Sequence, residues 1–501
     1  MCKMNQCCRV KWLWLRGVLI AITFFFFFIS ISNIVQSDFD DGWPVYGYDN
    51  VHSGYYPLIG KTNLTGYIAT CITLSKGYWV YPQPTIKDIR GDSDKEIITS
   101  CDPSSVYCMS STGKSCWIVN LPSPITTSAT ISDLNNDDMY EIIIGCTDGS
   151  LYVLNSDGKT KWTFDTRIQL EEGGGIFTSP LVNDIDQDGV NEIIFGTGND
   201  NIVCIDENGI LEWTLSIKEN AVPSGIMSTP MLIDLNNDDI LEIIIGSNYR
   251  YLYAITLEKI EQEEDRKPRI LWKFETGSNE MAILAAPVAA DIDNDEKPEI
   301  LFGARDSFFY CLNSDGSLKW KFDTGGPIYV SCSVGDVNQD GYIDIIFGSY
   351  DRNIYLLNNN GTLINTIPTF DVVTNQIIIC NLNGDSSIEL VVPTVLKNDT
   401  PTINIVNYQG ELITAIPYGP IGNLTQRRVM NLVVCDLEND NVIEIVFGTE
   451  DGKLVILRDE TNSGTPDEEV GTDDEFPCNI LILIIITIIL LVGLYLYKYH
   501  F

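Results

Sequence analysis

The chain has 501 residues, of which 69 are acidic and 31 basic, so its net charge is −38. This charge disfavours binding to a phosphate backbone, and we exclude nucleic acid as a partner. Hydrophobic residues make up 45% of the chain, which rules out wholesale disorder, and an array of repeats can form one domain of this length.

The N-terminus has the composition of a targeting segment. Four basic residues lie between Met1 and Gly17, and Val18 to Ile31 is almost wholly apolar. A basic region before a short apolar region is typical of a secretory signal. We therefore predict that residues 1–37 are a signal peptide or a signal anchor, with both possibilities open.

A repeated stretch organises the chain from residue 38 to residue 460. Its clearest copy, Asp184 to Gly196, spells DIDQDGVNEIIFG, an acidic loop followed by an apolar run. Eight copies begin at Asp88, Asp133, Asp184, Asp234, Asp291, Asp336, Asn381 and Asp436. Their spacing of 45 to 57 residues indicates a propeller or a solenoid.

Each repeat carries the pattern of four strands. In the sixth repeat we expect them at Tyr329 to Val334, Ile343 to Phe347, Asn353 to Leu357 and Gly361 to Thr366. A further strand at Tyr67 to Leu74 precedes the first loop and can complete the last repeat, which would close a ring. We therefore predict an all-β, eight-bladed β-propeller of four-stranded blades, with a linear solenoid as the alternative.

A tryptophan recurs in the fourth strand of five repeats. The five are Trp117, Trp162, Trp213, Trp272 and Trp320. A large ring at one repeated position is expected to pack where neighbouring blades meet.

The acidic loops have the side chains that calcium prefers. Carboxylate and amide oxygens stand at the first, third and fifth positions and an acid at the ninth, and Ca²⁺ takes six to eight such oxygens. The predicted ligands are Asp133, Asn135, Asp137, Glu141; Asp184, Asp186, Asp188, Glu192; Asp234, Asn236, Asp238, Glu242; Asp291, Asp293, Asp295, Glu299; Asp336, Asn338, Asp340, Asp344; and Asp436, Glu438, Asp440, Glu444. The first copy has Arg90 at its third position and the seventh has Asn381 and Asn383, so metal is less expected there. A metal-free Asx-type turn is the alternative for every loop.

The opposite face of such a propeller would carry the loops between the second and third strands. Arg250, Arg305 and Arg352 occupy these loops in three consecutive repeats, with Tyr249 and Tyr350 beside them. In so acidic a chain, this group could bind an anionic ligand, although scattered solubilising arginines would look the same.

The C-terminus has the pattern of a membrane anchor. Residues 461–478 form an acidic linker, 479–497 an uncharged apolar stretch long enough for a transmembrane helix, and 498–501 a short tail that the basic-inside bias assigns to the cytosol. Four sequons are expected on the extracellular or lumenal side, at Asn63, Asn360, Asn398 and Asn423.

The pairs Phe195-Gly196, Phe302-Gly303, Phe347-Gly348 and Phe447-Gly448, each after an acidic loop, resemble the FG-GAP repeats of the integrin α-subunit propeller. The segment Gly316 to Ile328 also resembles blades of quinoprotein (PQQ-like) propellers. The FG-GAP resemblance implies structural calcium in the loops and a protein ligand on the opposite face.

These features together predict a calcium-stabilised, membrane-anchored propeller at the cell surface or in the secretory pathway. We expect an interaction or cell-adhesion module for an extracellular protein or glycan, and no enzyme, because His52 is the only histidine outside the termini and no nucleophile motif appears. A polysaccharide lyase or hydrolase and a quinoprotein-type enzyme are the alternatives.

Overall fold

The computed structural model describes residues 49, 51–64, 67–74, 80, 82–101, 104–219, 225–259, 266–277, 282–393, 402–418 and 429–459. The chain divides into two units, Met1–Glu460 and Thr461–Phe501, and every described residue belongs to the first. The predicted signal, linker, membrane helix and tail lie outside the described residues. Among those that are described, no helix has the length and apolar character needed to cross a membrane.

The described part is built almost entirely of short strands, with one helical turn. In chain order they are β1 (Tyr55–Ile59), β2 (Tyr67–Thr73), β3 (Thr85–Lys87), β4 (Glu96–Cys101), β5 (Ser105–Met109), β6 (Ser115–Asn120), β7 (Thr130–Ser132), β8 (Glu141–Gly145), β9 (Ser150–Asn155), β10 (Thr160–Asp165), α1 (Thr166–Gln169), β11 (Leu181–Asn183), β12 (Glu192–Gly196), β13 (Asn201–Ile205), β14 (Leu211–Ser216), β15 (Met231–Ile233), β16 (Glu242–Gly246), β17 (Tyr251–Lys259), β18 (Arg266–Glu275), β19 (Val288–Ala290), β20 (Glu299–Gly303), β21 (Phe308–Leu312), β22 (Leu318–Asp323), β23 (Ser333–Gly335), β24 (Asp344–Gly348), β25 (Asn353–Leu357), β26 (Leu363–Pro368), β27 (Ile378–Asn381), β28 (Glu389–Val392), β29 (Thr402–Val406), β30 (Leu412–Pro417), β31 (Val429–Cys435), β32 (Glu444–Thr449) and β33 (Lys453–Asp459).

These strands form eight sheets, the blades of a β-propeller, which are antiparallel except where the additional strand β1 pairs parallel with β27. Blades 1 to 6 are β3–β6, β7–β10, β11–β14, β15–β18, β19–β22 and β23–β26, each in sequence order. Blade 7 is β27–β30, and blade 8 is β31–β33 completed by β2. The predicted eight-bladed architecture of four-stranded blades is confirmed.

The N-terminal strand closes the ring, as its position before the first loop predicts. β2 pairs antiparallel with β33 from Tyr67 opposite Asp459 to Thr73 opposite Lys453. The first and last parts of the described chain thereby share one sheet. The solenoid alternative, which would leave them apart, is wrong.

Burial follows the order of strands within a blade. Every residue of β12 is buried, whereas every residue of the outer strand β6 is exposed or half-buried. Apolar side chains of adjacent blades interdigitate, as when Phe309 of blade 5 stacks on Phe347 of blade 6 with ring centroids 4.0 Å apart. The propeller core therefore consists of the layers between blades.

The innermost strands are shorter than the sequence predicts. The apolar pattern predicts a strand at Tyr329 to Val334, but β23 covers only Ser333–Gly335, and the six other inner strands from blade 1 to blade 7 have three or four residues. The segment before β23 lies outside the sheet, although its apolar residues Ile328 and Val330 are buried. Burial without sheet pairing explains why the apolar pattern overestimates this strand.

A segment that no repeat pattern predicts lies on the channel side of blades 5 to 8. This segment, Val51–Thr62, is called the channel strap below. The backbone N–H groups of Ala289, Val334 and Ile379 donate to its carbonyl oxygens at Val51, Ser53 and Gly54, and β1 pairs parallel with β27. The strap then reaches blade 8, where Thr62 Oγ1 accepts from the N–H of Ile443 at 2.8 Å. It ties the inner edges of blades 5 to 7 to the acidic loop of blade 8.

The recurring tryptophans join neighbouring blades, as predicted. Trp320 Nε1 of blade 5 donates to the carbonyl of Asn359 in the β25–β26 turn of blade 6 at 3.1 Å. A Cβ placed on Gly361 in that turn would lie 2.7 Å from the indole, so the glycine allows the ring to approach the backbone. Trp117, Trp162 and Trp272 make the same bond to the blades that follow them.

Candidate functional site

The acidic loops between the first and second strands share one backbone-capping geometry. In blade 3, Asp184 accepts the N–H of Asp188 through Oδ1 at 3.1 Å and the N–H of Gly189 through Oδ2 at 3.0 Å. Asp188 Oδ1 in turn accepts the N–H of Val190 at 2.8 Å. The first loop residue accepts the same two backbone N–H bonds in blades 2, 4, 5, 6 and 8. Part of each predicted ligand set therefore also shapes the loop itself.

The acid at the ninth position closes every loop through one of its two oxygens. Glu192 Oε2 accepts the N–H of Ile185 at 2.9 Å, and the equivalent acid accepts the equivalent N–H in all eight blades. This acid is buried in each blade, with Glu192 only 1% exposed. Its second oxygen also needs a hydrogen bond or an ion pair, because burying a carboxylate oxygen without one destabilises the folded state.

In three blades, a basic side chain of the protein meets this second oxygen. Arg90 contacts Glu96 Oε1 through Nε at 2.8 Å and a terminal nitrogen at 2.7 Å. Lys161 Nζ lies 2.8 Å from Glu141 Oε1 in blade 2, and Lys319 Nζ lies 2.8 Å from Glu299 Oε1 in blade 5. Burial nevertheless raises the pKa of Glu96 and Glu299 above the ordinary value, against the lowering effect of these partners.

Blade 3 brings three carboxylates together without such a partner. One oxygen each of Asp184, Asp186 and Glu192 lies within 4.8 Å of the others. Glu192 Oε1 is buried and has no hydrogen-bond partner among the described residues. Burial, with smaller effects from neighbouring carboxylates, raises the pKa of Glu192 to about 8. Three carboxylate oxygens that lie close together, one of which has no hydrogen-bond partner among the described residues, suit a hard divalent cation such as Ca²⁺.

The other predicted ligand sets are less uniform. In blade 5, Asp291, Asp293 and Asp295 also lie close enough to hold a metal ion, but Lys319 Nζ is 2.5 Å from Asp293 Oδ2. In blade 4, Glu242 Oε1 lacks a hydrogen-bond partner among the described residues, as in blade 3. In the described part of the chain, the ligands predicted in blades 2, 4, 6 and 8 do not form a comparable group of three acids.

The acids that close the loops of blades 6 and 8 have other neighbours. In blade 6, the shorter Asp344 replaces glutamate, Asn338 Nδ2 lies 3.3 Å from its Oδ1, and burial raises its pKa to about 6. In blade 8, burial raises the pKa of Glu444 to about 8, and Arg458 lies near it and near Glu438.

The loops also contact one another, through residues that the sequence analysis does not single out. In six loops the fourth residue is Asn or Gln in a left-handed conformation, and in five of these its amide donates to a carbonyl of the next blade's loop. Asn237 donates to Glu296 at 3.1 Å and Asn439 to Ser93 at 2.7 Å, with similar bonds from Gln187, Asn294 and Gln339. The recurrence of Asn or Gln between two acidic positions is the signal that could have revealed them.

On the opposite face, two of the predicted residues, Arg305 and Tyr350, both contact Tyr329. We define the Arg–Tyr surface as Tyr249, Arg250, Arg305, Tyr329, Tyr350 and Arg352. The guanidinium of Arg305 lies 5.6 Å from the ring centre of Tyr329, whose ring lies 4.4 Å from that of Tyr350. The sequence does not place Tyr329 in this group, because it precedes β23 and belongs to a different loop.

The three arginines differ in their pairing. Arg250 forms an ion pair with Glu275 at 2.9 Å and lies over the Tyr251 ring. No carboxylate of a described residue lies within 4 Å of the guanidinium of Arg305 or Arg352. Asp306 and Asp351, next to these arginines, instead accept hydrogen bonds from Tyr310 and Tyr355. Among the described residues, neither guanidinium is therefore neutralised by an ion pair.

Two of the predicted glycosylation sites can be located. Asn360 is exposed at the turn between β25 and β26, and Asn63 is exposed next to the strap. Asn398 and Asn423 lie outside the described residues.

Comparison with known proteins supports the repeat and the fold. The family model for an FG-GAP-like repeat matches residues 133–195, and that for a lambda-carrageenase beta-propeller domain matches residues 266–379. No curated protein matches the chain.

Similar solved structures include the quinohemoprotein alcohol dehydrogenase of Comamonas testosteroni, with 12% identity, a TM-score of 0.61 and coverage of 87% of this chain and 83% of that one. BamB of Moraxella catarrhalis has 15% identity and a TM-score of 0.52, covering 78% and 98%. Sqt1 of Saccharomyces cerevisiae has 12% identity and a TM-score of 0.55, covering 79% and 98%. At these identities the likeness concerns the fold alone.

The chain is thus an eight-bladed β-propeller with an FG-GAP-like repeat and quinoprotein-like structural neighbours. These neighbours include dehydrogenases as well as BamB and Sqt1, so similarity of fold alone does not identify an activity for this chain.

Proposed function

We propose that this propeller is a calcium-stabilised interaction module that binds an anionic extracellular protein or glycan through the Arg–Tyr surface. The apolar segment 479–497 would anchor it, with the propeller extracellular or lumenal and the tail in the cytosol. The observation that carries the proposal is the contact of Arg305 with Tyr329, whose ring packs at a tilt against that of Tyr350, in a chain of net charge −38.

Arginine and tyrosine suit such a ligand for different reasons. A guanidinium with no carboxylate partner can offer a fork of N–H donors to a sulfate or carboxylate. Tyrosine rings provide a flat apolar surface for a sugar or peptide, with a hydroxyl group for hydrogen bonding. The carrageenase family model, which is named for an enzyme of a polysaccharide, covers Arg305, Tyr329, Tyr350 and Arg352, which favours a glycan.

The binding test uses the full-length chain and heparin, as a sulfated glycan, against dextran, as a neutral one. We expect heparin to bind, dextran not to bind, and the double variant Arg305→Glu, Arg352→Glu to lose most of the affinity. Lys114→Glu with Lys159→Glu is the matched control, since it changes the charge equally at exposed hairpin turns on the opposite face. If both double variants lost heparin affinity equally, the loss would reflect net charge alone, and the proposed site would be wrong.

The calcium part has its own test, namely the thermal unfolding temperature in calcium and in chelator, together with metal analysis. We expect calcium to raise the unfolding temperature and at least one ion to be bound per chain, because a ligand that binds only the folded state stabilises it. No bound metal and no shift would leave the loops as acidic turns.

Glycan cleavage is the second candidate, and the carrageenase match at residues 266–379 favours it over oxidation. The size distribution of a bound polysaccharide after incubation distinguishes cleavage from binding. A quinoprotein-type activity has less support, because the channel strap covers the inner edges of blades 5 to 7.

A further inference from the structure

We propose that Arg90, Lys161 and Lys319 replace a metal ion in blades 1, 2 and 5, and that Glu212 is the residue that makes blade 3 depend on a divalent cation. The inference rests on the calcium binding proposed above. It goes beyond the loop pattern, because Lys161, Glu212 and Lys319 all lie outside the acidic loops, on the fourth strands.

The second oxygen of the closing glutamate distinguishes the blades. In blades 1, 2 and 5 a guanidinium or ammonium group lies 2.7 to 2.8 Å from this oxygen. In blades 3 and 4 the same oxygen, on Glu192 and Glu242, is buried and has no hydrogen-bond partner among the described residues. The loops therefore fall into a group with a built-in cation and a group without one.

Strand register shows that blades 2, 3 and 5 differ at one equivalent position, the residue before the tryptophan of the fourth strand. This residue determines whether an ammonium group reaches the closing glutamate. Trp162, Trp213 and Trp320 lie opposite Val153, Cys204 and Cys311, and each of the three pairings adjoins a register shift. The residue before each tryptophan is Lys161, Glu212 and Lys319, respectively. At the site where two blades place an ammonium group, blade 3 places a fourth carboxylate.

The charge balance of blade 3 then calls for an external cation. Asp184, Asp186 and Glu192 each direct one oxygen to within 4.8 Å of the others, and Glu212 adds a further nearby negative charge. Arg266 lies near Asp186, but it forms no ion pair within 4 Å with a described carboxylate. A divalent cation with six to eight oxygen ligands can neutralise such a group, and Ca²⁺ tolerates the irregular geometry better than Mg²⁺.

Blade 4 is an intermediate case and supports the same logic. Its closing residue Glu242 makes no hydrogen bond through Oε1 to a described residue by distance and angle, although the Thr256 side chain lies near this carboxylate, and Leu271 occupies the position of the lysine. Its loop, however, has Asn236 where blade 3 has Asp186, so fewer carboxylates face the site. We expect weaker binding of calcium there than in blade 3.

Exchanging charge at this position tests the inference in the full-length chain. Glu212→Lys should bind one calcium ion fewer than the natural chain, and its unfolding temperature in chelator should rise towards the value that the natural chain has in calcium. Lys319→Glu should do the opposite: a lower unfolding temperature in chelator, and one additional ion bound. Glu212→Gln is the control, since it removes a charge without supplying a cation and should weaken calcium binding without replacing it.

The outcomes separate the two proposals. If the natural chain binds calcium but Glu212→Lys and Lys319→Glu change neither the stoichiometry nor the stability in chelator, the inference is wrong and the proposed stabilisation stands. If the natural chain binds no calcium, both are wrong. Should Glu212→Lys fail to fold, the Lys319→Glu and Glu212→Gln measurements still decide.

Discussion

His52 Nδ1 lies 3.0 Å from the carbonyl oxygen of Pro287, although the two residues are 235 positions apart in the chain. The contact joins the channel strap to the segment before β19 in blade 5. His52 is fully buried, and burial lowers its pKa to about 4 from 6.5, against the raising effect of the hydrogen bond. The strap is therefore held by the neutral form of the imidazole.

This geometry predicts a loss of stability on mild acidification. The unfolded chain binds a proton at His52 below pH 6.5, whereas the folded chain does so only near pH 4. Stability from this group is therefore complete above pH 6.5 and falls as the pH drops towards 4, by about 2 kcal/mol between pH 7 and pH 5. The measurement is the free energy of unfolding in denaturant at the two pH values.

The control is His52→Asn, which cannot titrate but keeps a side-chain N–H donor. Asparagine also tolerates the left-handed backbone of His52, whose φ is 57°. Buried Glu192 and Glu444 have raised pKa values and act in the opposite direction, so the difference between the two chains isolates the histidine. An identical pH dependence in both chains would contradict the prediction.

Gly54 provides a second test of the strap. Its φ is 61°, and an added Cβ would lie 2.2 Å from Ser333 Oγ and 2.4 Å from Gln376 Nε2. We expect Gly54→Ala to destabilise the fold by about 3 kcal/mol, because the methyl group disrupts packed polar contacts as well as straining the backbone. The free energy of unfolding in denaturant measures this cost.

Gly325→Ala is the matched control for backbone strain. Gly325 has a φ of 78°, and an added Cβ would have nothing within 4 Å, so only the left-handed conformation is penalised, at about 1 kcal/mol. Equal destabilisation in the two variants would show that the strap contributes no close packing at this point.

The sequence was most informative where the signal is local and repeated. The eight loops, the second strands such as β12 and the hairpin turns recur at regular spacing, so their period predicts the ring. The strap could not be found in this way, because Val51–Thr62 has no repeat and its partners lie hundreds of residues away. The role of Lys319 could not be found for a related reason: 20 residues separate it from Glu299, and only the fold brings them together.

The tryptophan contacts between blades predict unequal costs for the same substitution. Trp320→Phe removes the indole N–H that bonds to Asn359, whereas the indole N–H of Trp213 has no such partner among the described residues. We expect Trp320→Phe to cost about 1 kcal/mol more than Trp213→Phe, which is the worth of one hydrogen bond. Chemical denaturation of both variants measures the difference, and equal costs would assign the effect to packing alone.

The junction between blades 8 and 1, where the amide contacts between loops complete the ring, differs from the other junctions in charge. Asn439 Nδ2 donates to Ser93 at 2.7 Å, and its Oδ1 accepts from the ammonium group of buried Lys95 at 2.8 Å. Asn237, at the junction of blades 4 and 5, donates to Glu296 at 3.1 Å, and no lysine among the described residues donates to it. The closing junction therefore includes a hydrogen bond to a buried charge.

The final prediction compares the loss of these two asparagines. Both have left-handed backbones, with φ of 55° for Asn439 and 59° for Asn237. An alanine therefore causes about the same backbone strain at either position, and the strain does not affect the difference between the two variants. We expect Asn439→Ala to cost about 2 kcal/mol more than Asn237→Ala in the free energy of unfolding, because a hydrogen bond to a buried charge is stronger than one between neutral groups. If the two variants unfold at the same denaturant concentration, Lys95 must be satisfied by the carbonyl of Asp436 alone, and the closing junction is no stronger than the others.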